Sequence, residues 1–300
     1  MPPPLAEALD GRAVVLDGGL ATRLEERGHD LSDDLWSARL LLDRPDEVVA
    51  AHRDYFAAGA QVATTASYQL SYEGAAQRGL DHEQTDRLLR GSIALAREAA
   101  DSFDDERPRW VAASVGPYGA MLADGSEYTG DYGLSVAQLR AWHRPRLAAL
   151  AAAGADVLAL ETVPCLAEAE ALLTELAGTG LPCWLSLTAD EDGTRLGEPI
   201  GEAFAMARDV REVVAVGVNC CDATVARALV GVAARHSGKP VVVYPNSGEG
   251  WDGASRTWVG EPDFSATAAV GWVHDGARLV GGCCRVGPDQ IGAIAAALTA

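Results

Sequence analysis

The sequence predicts an α/β fold, a single-domain (β/α)8 TIM barrel over residues 1–300, and three observations predict it. Short apolar runs rich in Val and Ala recur eight times, each closed by a small, polar or glycine-rich turn. Segments with helical spacing lie between them. No linker, low-complexity block or other repeat interrupts the alternation, so nothing marks a boundary inside the chain.

Taken in order, the runs are 13-AVVLDGG-19, 61-QVATTASY-68, 110-WVAASVGPYG-119, 157-VLALETVP-164, 183-CWLSLTAD-190, 213-VVAVGVNCC-221, 240-PVVVYPNSGE-249 and 277-ARLVGGCC-284. Nearly continuous apolar character suits parallel strands covered on both faces. The helical segments include 46-DEVVAAHRDYFAAG-59, 83-EQTDRLLRGSIALAREAADSF-103, 135-SVAQLRAWHRPRLAALAAAG-154, 165-CLAEAEALLTELAGTG-180 and 222-DATVARALVGVAARHSG-238. Several begin at Asp, Ser or Glu and stop at Gly, as capped helices do. The competing architecture is a doubly wound open sheet. It usually carries a glycine fingerprint after its first strand, and 17-DGGLATRLEERG-28 is not G-x-G-x-x-G.

Composition narrows the function. Apolar residues make up 48% and charged residues 22%, the balance of a soluble globular chain. Against 43 Asp and Glu stand 24 Lys and Arg, a net charge of -19. That excludes the basic face that nucleic acid or an anionic membrane requires, and it favours neutral or cationic ligands. No apolar run approaches the roughly 18 residues of a membrane span. The start, MPPPLAEALDGR, lacks a basic stretch followed by an apolar one, so a cytoplasmic protein is expected. Nothing in the sequence encodes an oligomeric state. Six cysteines are too sparse for a disulfide scaffold, and a reducing compartment would keep them as thiols.

In a barrel of this kind the site lies at the C-terminal ends of the strands. The run ends bring Asp17, Thr65, Tyr68, Glu161, Asn219, Cys220, Asn246, Glu249, Cys283 and Cys284 to that mouth. Cys220 is expected to end the sixth strand, and Cys283 and Cys284 the eighth. Three converging thiolates would bind Zn²⁺ at about 2.3 Å each and leave the fourth tetrahedral position open, the mark of a catalytic zinc. Buried free cysteines are the alternative. Strand alternation points Cys221 away from Cys220. Cys283 and Cys284 can both be ligands only if the strand ends between them and the chain turns, which the two preceding glycines permit. Cys165 and Cys183 are expected in the core. No histidine ends a strand in this set, so all six are expected on the surface.

The chain resembles the zinc-dependent homocysteine S-methyltransferases, the group that includes betaine–homocysteine methyltransferase. The resemblance runs from 16-LDGGLATRLEERGHDLSDDLWSARLL-41 through 64-TTASYQ-69, 161-ETVP-164, 217-GVNC-220 and 244-YPNSGE-249 to 281-GGCCR-285. It covers nearly the whole chain in order, and its most specific parts are GVNC, GGCC and the DGG opening. It implies a zinc held by Cys220, Cys283 and Cys284, and methyl transfer to homocysteine, with Asp17 and Glu161 helping to hold the amino-acid substrate. The chemistry agrees with the residues, because zinc keeps a bound thiol deprotonated at neutral pH. The implied partners are small molecules, homocysteine and a cationic methyl donor that departs neutral. S-methylmethionine and S-adenosylmethionine leave as thioethers, betaine as a tertiary amine.

On this reading Asp17 and Glu161 anchor the substrate ammonium, and the amides of Gly18, Gly19 and Leu20 cradle its carboxylate. The two anchors are expected across the mouth from the cysteines. Tyr68 closes the pocket, and Asn219 either contacts substrate or braces the barrel rim. Trp36 and Trp251 are candidate aromatic faces for a sulfonium. The insertion 118-YGAMLADGSEYTGDYG-133 either faces the cation with its acidic and aromatic residues or only covers the mouth. A zinc hydrolase would want His or carboxylate ligands beside a bound water, which this set lacks. A non-catalytic thiolate metal-binding or redox-sensing protein is the remaining alternative. The shorter, non-betaine branch favours S-methylmethionine as donor.

Overall fold

Eight parallel strands form one sheet in a computed structural model of the chain, which describes residues 2–31, 37–191, 193–252, 257–260, 262 and 264–299. They are β1 (Val14–Val15), β2 (Val62–Thr64), β3 (Trp110–Val115), β4 (Val157–Val163), β5 (Cys183–Leu187), β6 (Val213–Asn219), β7 (Val241–Tyr244) and β8 (Ala277–Val280). Each falls inside one of the eight apolar runs. Neighbours follow the order β1-β8-β7-β6-β5-β4-β3-β2. A parallel bridge between Leu16 and Val62 joins the two ends. The Asp17 amide then donates to the Val62 carbonyl at 3.1 Å. That closure excludes the open doubly wound sheet.

Alternation along the strands builds two apolar layers. Val157 and Ala159 of β4, Trp184 of β5, and Val242 and Tyr244 of β7 fill the barrel interior. Leu158, Leu160, Leu185, Val216 and Val243 face the surrounding helices. The short helix Leu5–Ala8 closes the end opposite the mouth, with Leu5 and Leu9 in the interior cluster. There the Trp110 indole, at the start of β3, donates to the Pro3 carbonyl at 2.8 Å.

The helices begin and end where their caps dictate. His82–Asp101 starts in a capping box of Asp81 and Gln84, and Val136–Ala152 in one of Ser135 and Gln138. Pro45–Ala58 and Ala223–Ser237 stop at Gly59 and Gly238, both left-handed. Among the described residues, no helix is long and apolar enough to cross a membrane.

Two histidines depart from the expected surface placement. His52 and His143 are fully buried. His52 belongs to the stripe Val48, Ala51, His52, Tyr55, Phe56 on one face of its helix, so helical spacing carries it inward with its apolar neighbours. Burial pushes it down to about 4, and it stays neutral. His143 links two other buried polar groups: its Nε2 lies 2.8 Å from Glu168 and its Nδ1 3.0 Å from the Arg146 guanidinium.

Candidate active site

Cys220 follows the last residue of β6 with φ 47°, a left-handed conformation that a non-glycine residue adopts only when its surroundings hold it there. Two contacts hold it. The Thr188 hydroxyl donates to the Cys220 carbonyl at 3.1 Å, and the Cys220 amide donates to the Tyr244 carbonyl at 3.4 Å. β8 ends at Val280, and the chain turns at Cys284 and Arg285, the latter with φ 64°. The Cys283 amide donates to Pro245 at 2.8 Å, and the Cys284 amide to the Asn246 side chain at 3.2 Å. The turn that two adjacent ligands require is present, but the strand ends before both cysteines rather than between them.

The sulfurs of Cys220, Cys283 and Cys284 all lie within 4.8 Å of one another. Cys220 and Cys283 are joined as a disulfide, with Cα atoms 5.6 Å apart. This differs from the expectation that all six cysteines are thiols; the convergence of two strand ends brings this pair into bonding reach. Tetrahedral coordination at about 2.3 Å would set the sulfurs about 3.8 Å apart, inside the 4.8 Å within which all three lie. Burial pushes the Cys284 thiol up to about 12, so only a strong positive centre would hold it as a thiolate at neutral pH. The donor set fits a thiophilic metal. Cys221 packs between the barrel and its helices, outside the cluster, as alternation requires. Cys165 and Cys183 are buried and free.

Glu161 sits on the inward face of β4, two residues after Ala159 and four after Val157. The Ser114 hydroxyl donates to one of its oxygens, and the Tyr244 hydroxyl to the other at 3.1 Å. Tyr244 is in turn fixed by the Trp184 indole at 3.0 Å. Burial pushes the Glu161 carboxyl up to about 7, against the pull of these two hydrogen bonds. Asp17, also buried, accepts from the Thr64 amide at 2.7 Å and the Thr64 hydroxyl at 2.9 Å. Burial pushes it up to about 8, with the nearby Glu161 charge adding to the rise. Ser114 and Tyr244 escaped sequence reasoning, because a polar residue inside a strand run carries no mark of the face it lies on until the register is known.

Asp17 does not lie across the mouth from all the cysteines. β1 pairs with β8, and the Gly282 amide donates to the Asp17 carbonyl at 3.1 Å, so Asp17 stands beside Cys283. Only Glu161 belongs to the opposite wall. The expected carboxylate cradle is also smaller than predicted. The Gly19 amide donates to the Val286 carbonyl at 3.0 Å and is not free for a ligand. A Cβ on Gly19 would lie 2.7 Å from the Cys283 carbonyl oxygen, so glycine is needed there for close approach of the two turns. Gly18 and Leu20 flank it.

Asn219 braces the rim. Its Oδ1 accepts from the Thr162 amide and its Nδ2 donates to the Thr162 hydroxyl, both at 2.8 Å. Thr162 has φ 59° and follows Glu161, so this pair sets the backbone that presents the carboxylate. Tyr68 is partly buried, and burial raises its phenol. Its carbonyl accepts from Arg146 at 3.4 Å. Glu249 bonds the Ser247 hydroxyl at 2.8 Å and pairs with Arg285 at 3.3 Å. Trp36 lies outside the described residues, as does the Trp251 side chain. The insertion after β3 is folded into the helix Tyr118–Leu122 and the 3-10 turn Ser126–Tyr128. Burial raises the Tyr128 phenol, and its ring lies under the Arg195 guanidinium at 5.6 Å, which in turn donates to the Thr188 hydroxyl that holds the Cys220 carbonyl.

A barrel with its buried carboxylates and sulfur cluster gathered at the strand C-termini belongs to the (β/α)8 enzymes that act at that mouth. The sequence model of the homocysteine S-methyltransferase family matches residues 14–298. A homocysteine S-methyltransferase of Bacillus subtilis (strain 168), YbgG, is 45% identical over 298 residues, covering 94% of this chain and 93% of its own. The solved homocysteine methyltransferase MmuM of Escherichia coli in its metallated form superposes with a TM-score of 0.88 at 41% identity, covering 98% of this chain and 99% of that one. Its oxidised form superposes with the same TM-score at 42% identity and the same coverage. The chain belongs to the homocysteine S-methyltransferase family, a family of methyl-transferring enzymes.

Proposed function

We propose that this chain moves a methyl group from a sulfonium donor, S-methylmethionine or S-adenosylmethionine, to the thiol of L-homocysteine, forming methionine, with Zn²⁺ held by Cys220, Cys283 and Cys284 in their reduced state. The observation that carries the reading is the cluster of three cysteine sulfurs within 4.8 Å at the barrel mouth. A bound zinc would hold the homocysteine sulfur as a thiolate at neutral pH.

The protein's own residues position the reactants. Asp17 and Glu161 are carboxyls whose charged forms are disfavoured by burial, and an incoming ammonium restores both to the carboxylate form. Ser114 and Tyr244 keep Glu161 turned inward, and Thr64 does the same for Asp17. The substrate carboxylate falls to the amides of Gly18 and Leu20. Tyr68 and the loop over the mouth exclude water from the reacting sulfurs. In the transfer, the homocysteine sulfur supplies the electron pair of the new S–CH₃ bond. The pair of the broken S–CH₃ bond returns to the donor sulfur, which leaves as a neutral thioether. No proton moves to the leaving group, which accounts for a site without a general acid.

The test incubates reduced, zinc-loaded protein with homocysteine and each of S-methylmethionine, S-adenosylmethionine and betaine, and measures methionine. Methionine is expected from a sulfonium donor and not from betaine. Bound metal without methionine from any donor would leave a thiolate metal-binding protein and overturn the reading.

A further inference from the structure

We propose that Glu127, on the loop after β3, is the counter-ion for the cationic methyl donor, with its free carboxylate oxygen forming the donor half of the site. This rests on the methyl-transfer reading above and adds a residue to it. Glu127 is the middle residue of the 3-10 turn Ser126–Tyr128 and is only 4% exposed. Its Oε2 has no hydrogen-bond partner, and among the described residues no cationic side chain pairs with it. Its place is fixed by backbone packing: a Cβ on Gly119 would sit 2.4 Å from the Glu127 amide nitrogen, so only glycine allows the turn to close this tightly.

The surroundings are those of the site. A chain of contacts ties this turn to the sulfur cluster: the Arg195 guanidinium lies 5.6 Å over the ring of Tyr128, Arg195 donates to the Thr188 hydroxyl at 3.1 Å, and that hydroxyl donates to the Cys220 carbonyl at 3.1 Å. A buried carboxylate with a free oxygen is a group that stabilises a sulfonium. Asp17 and Glu161 are already engaged, by Thr64 and by Ser114 and Tyr244. They also serve the homocysteine ammonium, so the donor's positive charge needs a third group. A buried carboxylate oxygen without a partner costs the fold free energy, and an incoming cation would complete the pair. Burial also pushes its carboxyl up to about 7, so that a cation nearby would set its charge.

The experiment compares wild type, Glu127→Gln and Glu127→Asp, all zinc-loaded. It reads kcat and KM for S-methylmethionine and for homocysteine, S-methylmethionine binding by calorimetry, metal content and melting temperature. Glu127→Gln should weaken S-methylmethionine about 10- to 100-fold in KM and in binding. It should keep the homocysteine KM and the metal, and melt no lower than wild type, because a buried unpaired charge has been removed. Glu127→Asp should recover part of the donor affinity. Methylation of homocysteine by methyl iodide, a neutral methyl electrophile, should fall far less than methylation by S-methylmethionine. An unchanged donor KM, an equal loss with methyl iodide, or a loss shared with homocysteine affinity and melting temperature would overturn the assignment. A wild-type protein that makes no methionine from any donor would overturn the methyl-transfer reading itself; an active wild type with an indifferent Glu127→Gln would overturn only this inference.

Discussion

Glu161 shows how much one side chain depends on its setting. A carboxylate at the end of an apolar strand run is visible in the sequence, but the two hydroxyls that orient it are not. Ser114 lies inside β3 and Tyr244 ends β7, far away in the chain. Replacing Glu161 by Gln keeps the size and removes the charge. Losing a charged hydrogen bond costs roughly 1.5–3 kcal/mol, or about 10- to 150-fold in kcat/KM for homocysteine. The metal should remain, because Glu161 lies outside the sulfur cluster, whereas Cys283→Ala should lose most of it. Steady-state kinetics with metal analysis checks both. Zinc lost from Glu161→Gln would make Glu161 a ligand, and an unchanged kcat/KM would leave it a residue of the barrel rim. The cysteines were legible for a different reason: their type restricts their chemistry, and four of them fell at run ends, of which strand alternation set Cys221 aside.

At the scale of elements, the eight strands were legible because parallel strands buried on both faces must be apolar along their length. The five helices were legible from caps and spacing. His52 was expected on the surface because it ends no strand, whereas helical spacing alone puts it on the buried stripe. Asn219 illustrates what strand runs conceal. It ends β6, yet its side chain works on β4, where it holds Thr162 in a left-handed conformation through two hydrogen bonds of 2.8 Å. Asn219→Ala would leave the buried Thr162 amide and hydroxyl without these partners. The expected loss of stability is about 1–3 kcal/mol by urea unfolding, with a raised KM for homocysteine because Glu161 precedes Thr162. Stability and KM both unchanged would mean that other contacts hold this turn.

Over the whole molecule, alternation of strand and helix predicts a barrel but does not say which walls face each other. The order around the closed sheet set Asp17 beside Cys283 and Glu161 on the opposite wall, a relation absent from any run of residues. The same closure buries three carboxyls near one mouth: burial pushes Asp17 up to about 8 and Glu127 and Glu161 each to about 7. The raised values mean that the folded chain keeps protons that the unfolded chain has released. The stability these groups allow is therefore full below about pH 4 and is lost as pH rises through 7 to 8. His52 has the opposite sign. Its value, lowered to about 4, costs stability as pH falls below that of a free imidazole, so its effect is spent above about pH 7. The buried thiols, raised from 9.0 to about 12, act only on the alkaline side of about 9. The window from pH 7 to 8.5 thus isolates the carboxyls. Without metal or substrate, the urea midpoint should fall across this window, and the combined Asp17→Asn and Glu161→Gln variant should fall less steeply. Homocysteine and donor, by supplying cations, should also flatten the profile of the metal-loaded wild type. A wild-type midpoint that rises from pH 7 to 8.5, or a variant that falls as steeply as wild type, would show that these carboxyls are charged and partnered before any ligand arrives.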